Sequence, residues 1–115
     1  MRLPLLLALS LVATPALAAT GEDVFGDQCS GCHGLDPASN PTAPTLKGVV
    51  GRPVASLSDF QYSAALKAKG GTWTPQTLDV FLANPKAFAP GTAMTASVPS
   101  ADDRKAIIQY LQTVK

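Results

Sequence analysis

Apolar positions recur with helical spacing in four stretches of the chain, and two long stretches between them show no period. The best stripe lies near the end: Ala106, Ile107, Tyr110, Leu111 and Val114 share one face of a helix predicted to open at Ser100, with Asp102 and Asp103 in its first turn. Thr74 followed by Pro75 is an N-cap and a first helical residue, and Leu78, Phe81 and Leu82 then fall on one side until Asn84-Pro85 ends the pattern. A short helix is predicted over 64–69, capped by Ser63 and stopped by Gly70-Gly71. The first opens at Thr20, carries Glu22 and Asp23 where acids suit the dipole, and places Phe25 and Cys29 four residues apart. Four such segments describe an all-α domain. Gly34 to Ser58 and Asn84 to Pro99 are rich in proline and glycine, and segments of that length without structure of their own are uncommon unless they pack on something rigid.

One further apolar run, Leu3 to Val12, has no period and follows the positive start Met1-Arg2; Pro15 breaks it ahead of Ala16-Leu17-Ala18-Ala19. This is the form of a secretory signal, cleaved after Ala18 or close to it. As a transmembrane anchor it falls well short of the ~20 apolar residues needed to span hydrocarbon. The expected division is therefore a signal over 1–18 and a single domain over 19–115, exported to the periplasm and soluble, with no membrane anchor once the signal is gone. That domain has six Lys and two Arg against eight Asp and Glu, a balance of zero. Nucleic acid and anionic membrane surfaces need a positive excess, so both are disfavoured as partners.

The only two cysteines and the only histidine form one block, Cys29-Ser30-Gly31-Cys32-His33. C-x-x-C-H is the attachment signature of c-type haem. Residues three apart lie on one face of a helical turn, so both sulfurs reach the two vinyl groups of one porphyrin while His33 ligates iron from the same side. Chance would assemble this block roughly once in several thousand random placements. A redox dithiol needs a preceding strand, which is missing; a zinc site lacks a second ligand cluster; a plain disulfide leaves His33 unexplained and closes a loop too small to stabilise much. Bis-histidine ligation within the chain is excluded. On the other side of the iron a methionine, a lysine, water or nothing remains. Met94, in Pro90-Gly91-Thr92-Ala93-Met94, is the only methionine left after signal cleavage, and its position alone fits ligation and core packing equally well.

In order along the chain stand Gly21 and Phe25, Cys29–His33, Pro44-Thr45-Leu46, Gly48 to Arg52, Phe60-Gln61-Tyr62-Ser63, Trp73-Thr74, Asn84-Pro85-Lys86, Pro90 to Met94, and Ile107 with Tyr110. This series resembles the class I c-type cytochromes, the family of mitochondrial cytochrome c and its soluble bacterial counterparts, over nearly all of Gly21 to Lys115. The resemblance implies about four short helices wrapped around one haem, joined covalently through Cys29 and Cys32. It makes His33 and Met94 the axial ligands, and it gives the Pro44 carbonyl the second His33 ring nitrogen. Arg52, Tyr62 and Trp73 would bond the haem propionates, and Gly21 with Phe25 would cross the last helix at Ile107 and Tyr110. The chain departs from the family at Thr45, where asparagine is usual, at Leu66, in place of a polar residue, and at Phe81, in place of tyrosine. Lys86 survives from the family's lysine-rich face, while Ala87 and Ala93 occupy neighbouring lysine positions.

Histidine and thioether together keep iron six-coordinate in both oxidation states, and the neutral sulfur favours Fe(II). The function implied is single-electron carriage by a monomer that docks transiently, between a donor dehydrogenase or membrane complex and an acceptor oxidase, and not catalysis. Two other readings keep the haem: a subunit of a larger oxidoreductase, and a haem enzyme or gas sensor with a displaceable Met94.

Overall fold

Every expected cap is made. In a computed structural model describing residues 8–13, 19–36 and 42–115, Thr20 and Asp23 bond each other's main-chain N–H groups and open α1 (Gly21–Gln28). The Ser63 hydroxyl accepts the Leu66 N–H at the start of α2 (Ala64–Lys69), which Gly70 ends at a φ of 66°. Thr74 and Thr77 exchange bonds at the start of α3 (Pro75–Ala83). Asn84 then does two jobs, closing α3 and capping α4 (Pro85–Phe88) through its bond from the Ala87 N–H. Ser100 caps α5 (Ala101–Thr113).

The described residues thus hold five helices, not four, the addition being α4. Four residues are too few to show a period, so α4 was hidden inside an expected loop. The α5 stripe is also wider than expected. Ile107 is completely buried and Ile108 joins it in the core, while Ala106, Tyr110 and Val114 are only partly covered. The cause is packing on two sides: α5 meets α1 along its most extensive helix contact and α3 along another.

Gly21 makes the α1–α5 crossing possible. A Cβ there would run into the Ala106 carbonyl oxygen and come within 2.8 Å of the Tyr110 Cβ. Phe25 lies against Tyr110 one turn on, ring centroids 5.5 Å apart. The first long segment is stitched to the rest by its main chain. Gly48 donates to the Val114 carbonyl (2.9 Å), Gly51 to that of Trp73 (2.7 Å) and Val54 to that of Gly71 (2.9 Å), and Pro53 pairs with Thr72 in an antiparallel bridge. Leu9, Leu11 and Val12 are between 81% and 90% exposed and take no part in the core. The positive start and the A-x-A segment of the expected signal lie outside the described residues. No helix among the described residues is long and apolar enough to cross a membrane.

Candidate functional site

The Cys29–His33 block continues α1 as a wound turn. Cys32 and His33 both donate main-chain N–H groups to the Cys29 carbonyl, at 3.2 and 2.9 Å, which keeps the three side chains together. The sulfurs are not joined: Cys29 is buried and Cys32 exposed, and neither forms a disulfide. Burial pushes the Cys29 thiol up to about 11. Among the described residues no group of three His, Cys, Asp or Glu side chains is placed to hold a metal ion by itself.

His33 is held by one nitrogen. Its Nδ1 lies 2.8 Å from the Pro44 carbonyl oxygen, which can only accept, so Nδ1 carries the proton and Nε2 keeps its lone pair. Burial lowers the imidazole's affinity for a second proton, the Arg52 charge lowers it further, and the Pro44 bond opposes them. The ring is therefore kept in the neutral form that can bind iron.

Pro44 is itself fixed from behind. Arg52 Nη2 donates to the carbonyl of Thr45 (2.8 Å), Thr45 Oγ1 donates to the Gly34 carbonyl (3.4 Å), and Leu46 N–H donates to the same oxygen (2.9 Å). Part of Arg52's hydrogen-bonding capacity thus serves the loop that orients His33, a use not anticipated from its place in the sequence. Its Nη1 also lies 3.5 Å from the Lys47 carbonyl oxygen, on the same loop. Tyr62 and Asp59 lie within electrostatic reach of that guanidinium, and Tyr62 packs edge-on against Phe60 at 5.0 Å. Trp73 follows through the backbone, since its N–H donates to the Arg52 carbonyl at 2.9 Å. Arg52 thus neighbours both Tyr62 and the Trp73 main chain.

The Trp73 side chain is only 6% exposed and belongs to an aromatic trio, stacked on Phe88 (5.6 Å) and tilted against Phe81 (5.0 Å). Phe88 escaped the sequence reading because it sits in a presumed loop. An aromatic residue four positions after an Asn-Pro cap was the available signal. Lys69 Nζ covers its outer face, 4.4 Å from the ring centroid. Beyond Phe88 the chain turns at Gly91 (φ 90°) and brings Met94, half-buried, against the hydrophobic core.

Does this arrangement suit a haem? Two unpaired sulfurs and a neutral imidazole share one turn, and Leu35, Leu46, Val50, Val54 and Met94 contribute partly buried apolar surface from both long segments. The donor set is that of c-type attachment, and the residues fit the group.

Comparison with known proteins agrees. The family model described as cytochrome c matches residues 18–115. A cytochrome c-type protein of Rhodobacter capsulatus, cyt cy, is 44% identical over 98 residues; the match covers 84% of this chain but 49% of that protein, so this chain spans about half its length. Cytochrome c2 iso-1 of Magnetospirillum fulvum is 42% identical over 92 residues, 77% of this chain and 93% of that one. Among solved structures, cytochrome cH from Methylobacterium extorquens superposes with a TM-score of 0.74 at 38% identity, covering 81% of this chain and 94% of its own. The chain belongs to the cytochrome c family of electron carriers, and its cofactor is one haem c bound covalently through Cys29 and Cys32.

Proposed function

We propose that this chain is an exported, soluble monohaem carrier, monomeric after loss of residues 1–18, whose haem iron the His33 imidazole and the Met94 thioether would hold. The reading rests chiefly on one observation, the 2.8 Å contact between His33 Nδ1 and the Pro44 carbonyl, which fixes the tautomer and aims Nε2 as a ligand. The haem supplies the one-electron chemistry, between Fe(III) and Fe(II). The polypeptide supplies the rest. Cys29 and Cys32 make the group permanent, so it cannot be lost between encounters. Met94 would add a neutral, soft donor that favours the reduced state. Arg52, Tyr62 and Trp73 would bond the propionates, whose burial unpaired would cost several kcal/mol per charge.

Met94→Ala is the direct test. The oxidised variant should lose the long-wavelength iron–sulfur absorption band, and its reduced form should bind carbon monoxide rapidly where the wild type does not. An unchanged spectrum would remove methionine from the iron. A redox titration alongside it should show the variant's potential falling, because a soft donor to Fe(II) has gone.

The partners are redox proteins, a dehydrogenase or membrane complex on one side and an oxidase or other acceptor on the other, docking briefly over a small area. Charge should contribute little to that docking. The domain's formal charges cancel, and Ala87 and Ala93 are exposed where the wider family carries lysines. Oxidation by an anionic iron hexacyanide complex should therefore slow by less than about threefold as ionic strength rises from ~20 to ~200 mM. A steep decline, measured by stopped flow, would instead reveal a concentrated basic patch around the site of electron exit.

A further inference from the structure

The segment carrying Met94 is held at its ends. On entry, Ala89 N–H donates to the Pro85 carbonyl and Thr92 N–H to that of Ala89, both at 2.9 Å. On exit, Val98 N–H donates to the Leu82 carbonyl at 2.8 Å. Between these points, the main chain of residues 93–97 makes no hydrogen bond to another described residue. The exit has a second anchor. Arg104 Nη1 donates to the carbonyls of Val98 and Pro99, each at 2.9 Å, while Nε donates to Asp79 Oδ1 at 2.8 Å. One guanidinium, with its side chain only 14% exposed, thus joins α3, α5 and the end of the methionine segment.

The placement is unusual on helical grounds. Arg104 is the fourth residue of α5, near the positive end of its dipole, where a cation is disfavoured and Asp102 and Asp103 are at home. Asp79 offsets that cost and orients the planar fork. A lysine, a single point of charge, cannot reach the carboxylate and both carbonyls with the same geometry.

We propose that Arg104 is a positioning residue for the sixth iron ligand: by clamping Val98 and Pro99 to α3 and α5 it limits how often Met94 swings away. The inference rests on Met94 ligation, and the experiment separates the two. Exogenous imidazole can take the iron's sixth position only after the methionine leaves, so its binding rate to the oxidised holoprotein reports the opening of this segment. Arg104→Met keeps most of the side-chain bulk but removes the donors. It should bind imidazole at least about tenfold faster than wild type, the scale of losing charge-assisted bonds, and should lose its iron–sulfur band at a lower temperature. Arg104→Lys and Asp79→Asn should fall between.

Phe25→Leu, on the α1 side of α5, serves as the control for global stability, measured by guanidinium unfolding. Acceleration in Arg104→Met well beyond that of Phe25→Leu at matched global stability supports the clamp. Equal acceleration in the two, or none in any Arg104 or Asp79 variant, overturns it. A wild-type protein without the iron–sulfur band overturns the ligation reading and the clamp with it.

Discussion

Cys29→Ala combined with Cys32→Ala is expected to give a polypeptide of bare mass that keeps no haem through denaturing electrophoresis and loses about half or more of its helical circular dichroism. Both effects follow from the same deficit. A mature domain of this size buries only about two-thirds of the surface its unfolded chain exposes, which leaves little margin. Ordering each residue costs about 1–2 kcal/mol in backbone entropy alone, and the segments 42–58 and 89–100 bear that cost with few internal hydrogen bonds to offset it. Their apolar side chains, Leu46, Val50, Val54 and Met94, are only partly covered by protein. Covalent attachment supplies a large apolar surface at high effective concentration beside them. Single replacements should be milder, because one thioether still tethers the group. A colourless double variant that unfolds cooperatively with undiminished helicity would show that the helices and loops stand without the prosthetic group.

What could be read from residues alone divides along a physical line. Helix boundaries were legible because caps are local: Thr20, Ser63, Thr74 and Ser100 each satisfy a donor three residues on, and all four appear where their neighbours imply. The attachment block was legible for the same reason, being five consecutive residues. The short α4 was not. Asn84-Pro85 carries the same cap-and-proline signature as Thr74-Pro75, but it also terminates α3, and one role masked the other.

Relations across the chain were the least accessible. Pro44 lies 11 residues from His33, and nothing in its immediate neighbourhood predicts a carbonyl aimed at an imidazole; only the family resemblance suggested it. The Arg52 contact to the Thr45 carbonyl and the Arg104 contacts to Val98 and Pro99 depend on how separate elements meet. For Arg104 there was at least a faint clue, a cation at the unfavoured end of a helix, which in a marginal domain asks for a partner elsewhere.

Two glycines of α1 should respond in opposite directions to the same substitution. Gly26 is exposed and a Cβ there meets nothing within 4 Å, so Gly26→Ala removes backbone freedom from the unfolded chain at no steric cost and should stabilise by up to about 1 kcal/mol. Gly21 lies at the crossing with α5, where a Cβ meets the Ala106 carbonyl oxygen and the Tyr110 Cβ. Neither obstacle is the end of a flexible side chain, so the helices themselves must part, and the gap opens beside the fully buried Ile107. Overpacking of this kind costs about 1–3 kcal/mol, set against a small gain in helix propensity at the first helical position. Gly21→Ala should therefore destabilise the holoprotein by about 2 kcal/mol, lowering its midpoint by roughly 8–16 °C, and Gly21→Val by more. Guanidinium and thermal unfolding of the three variants, followed by helical circular dichroism, make the comparison. If Gly21→Ala unfolds at the same midpoint as Gly26→Ala, the α1–α5 crossing is looser than the structure has it, and the close approach that a missing side chain permits is not what joins the first and last helices.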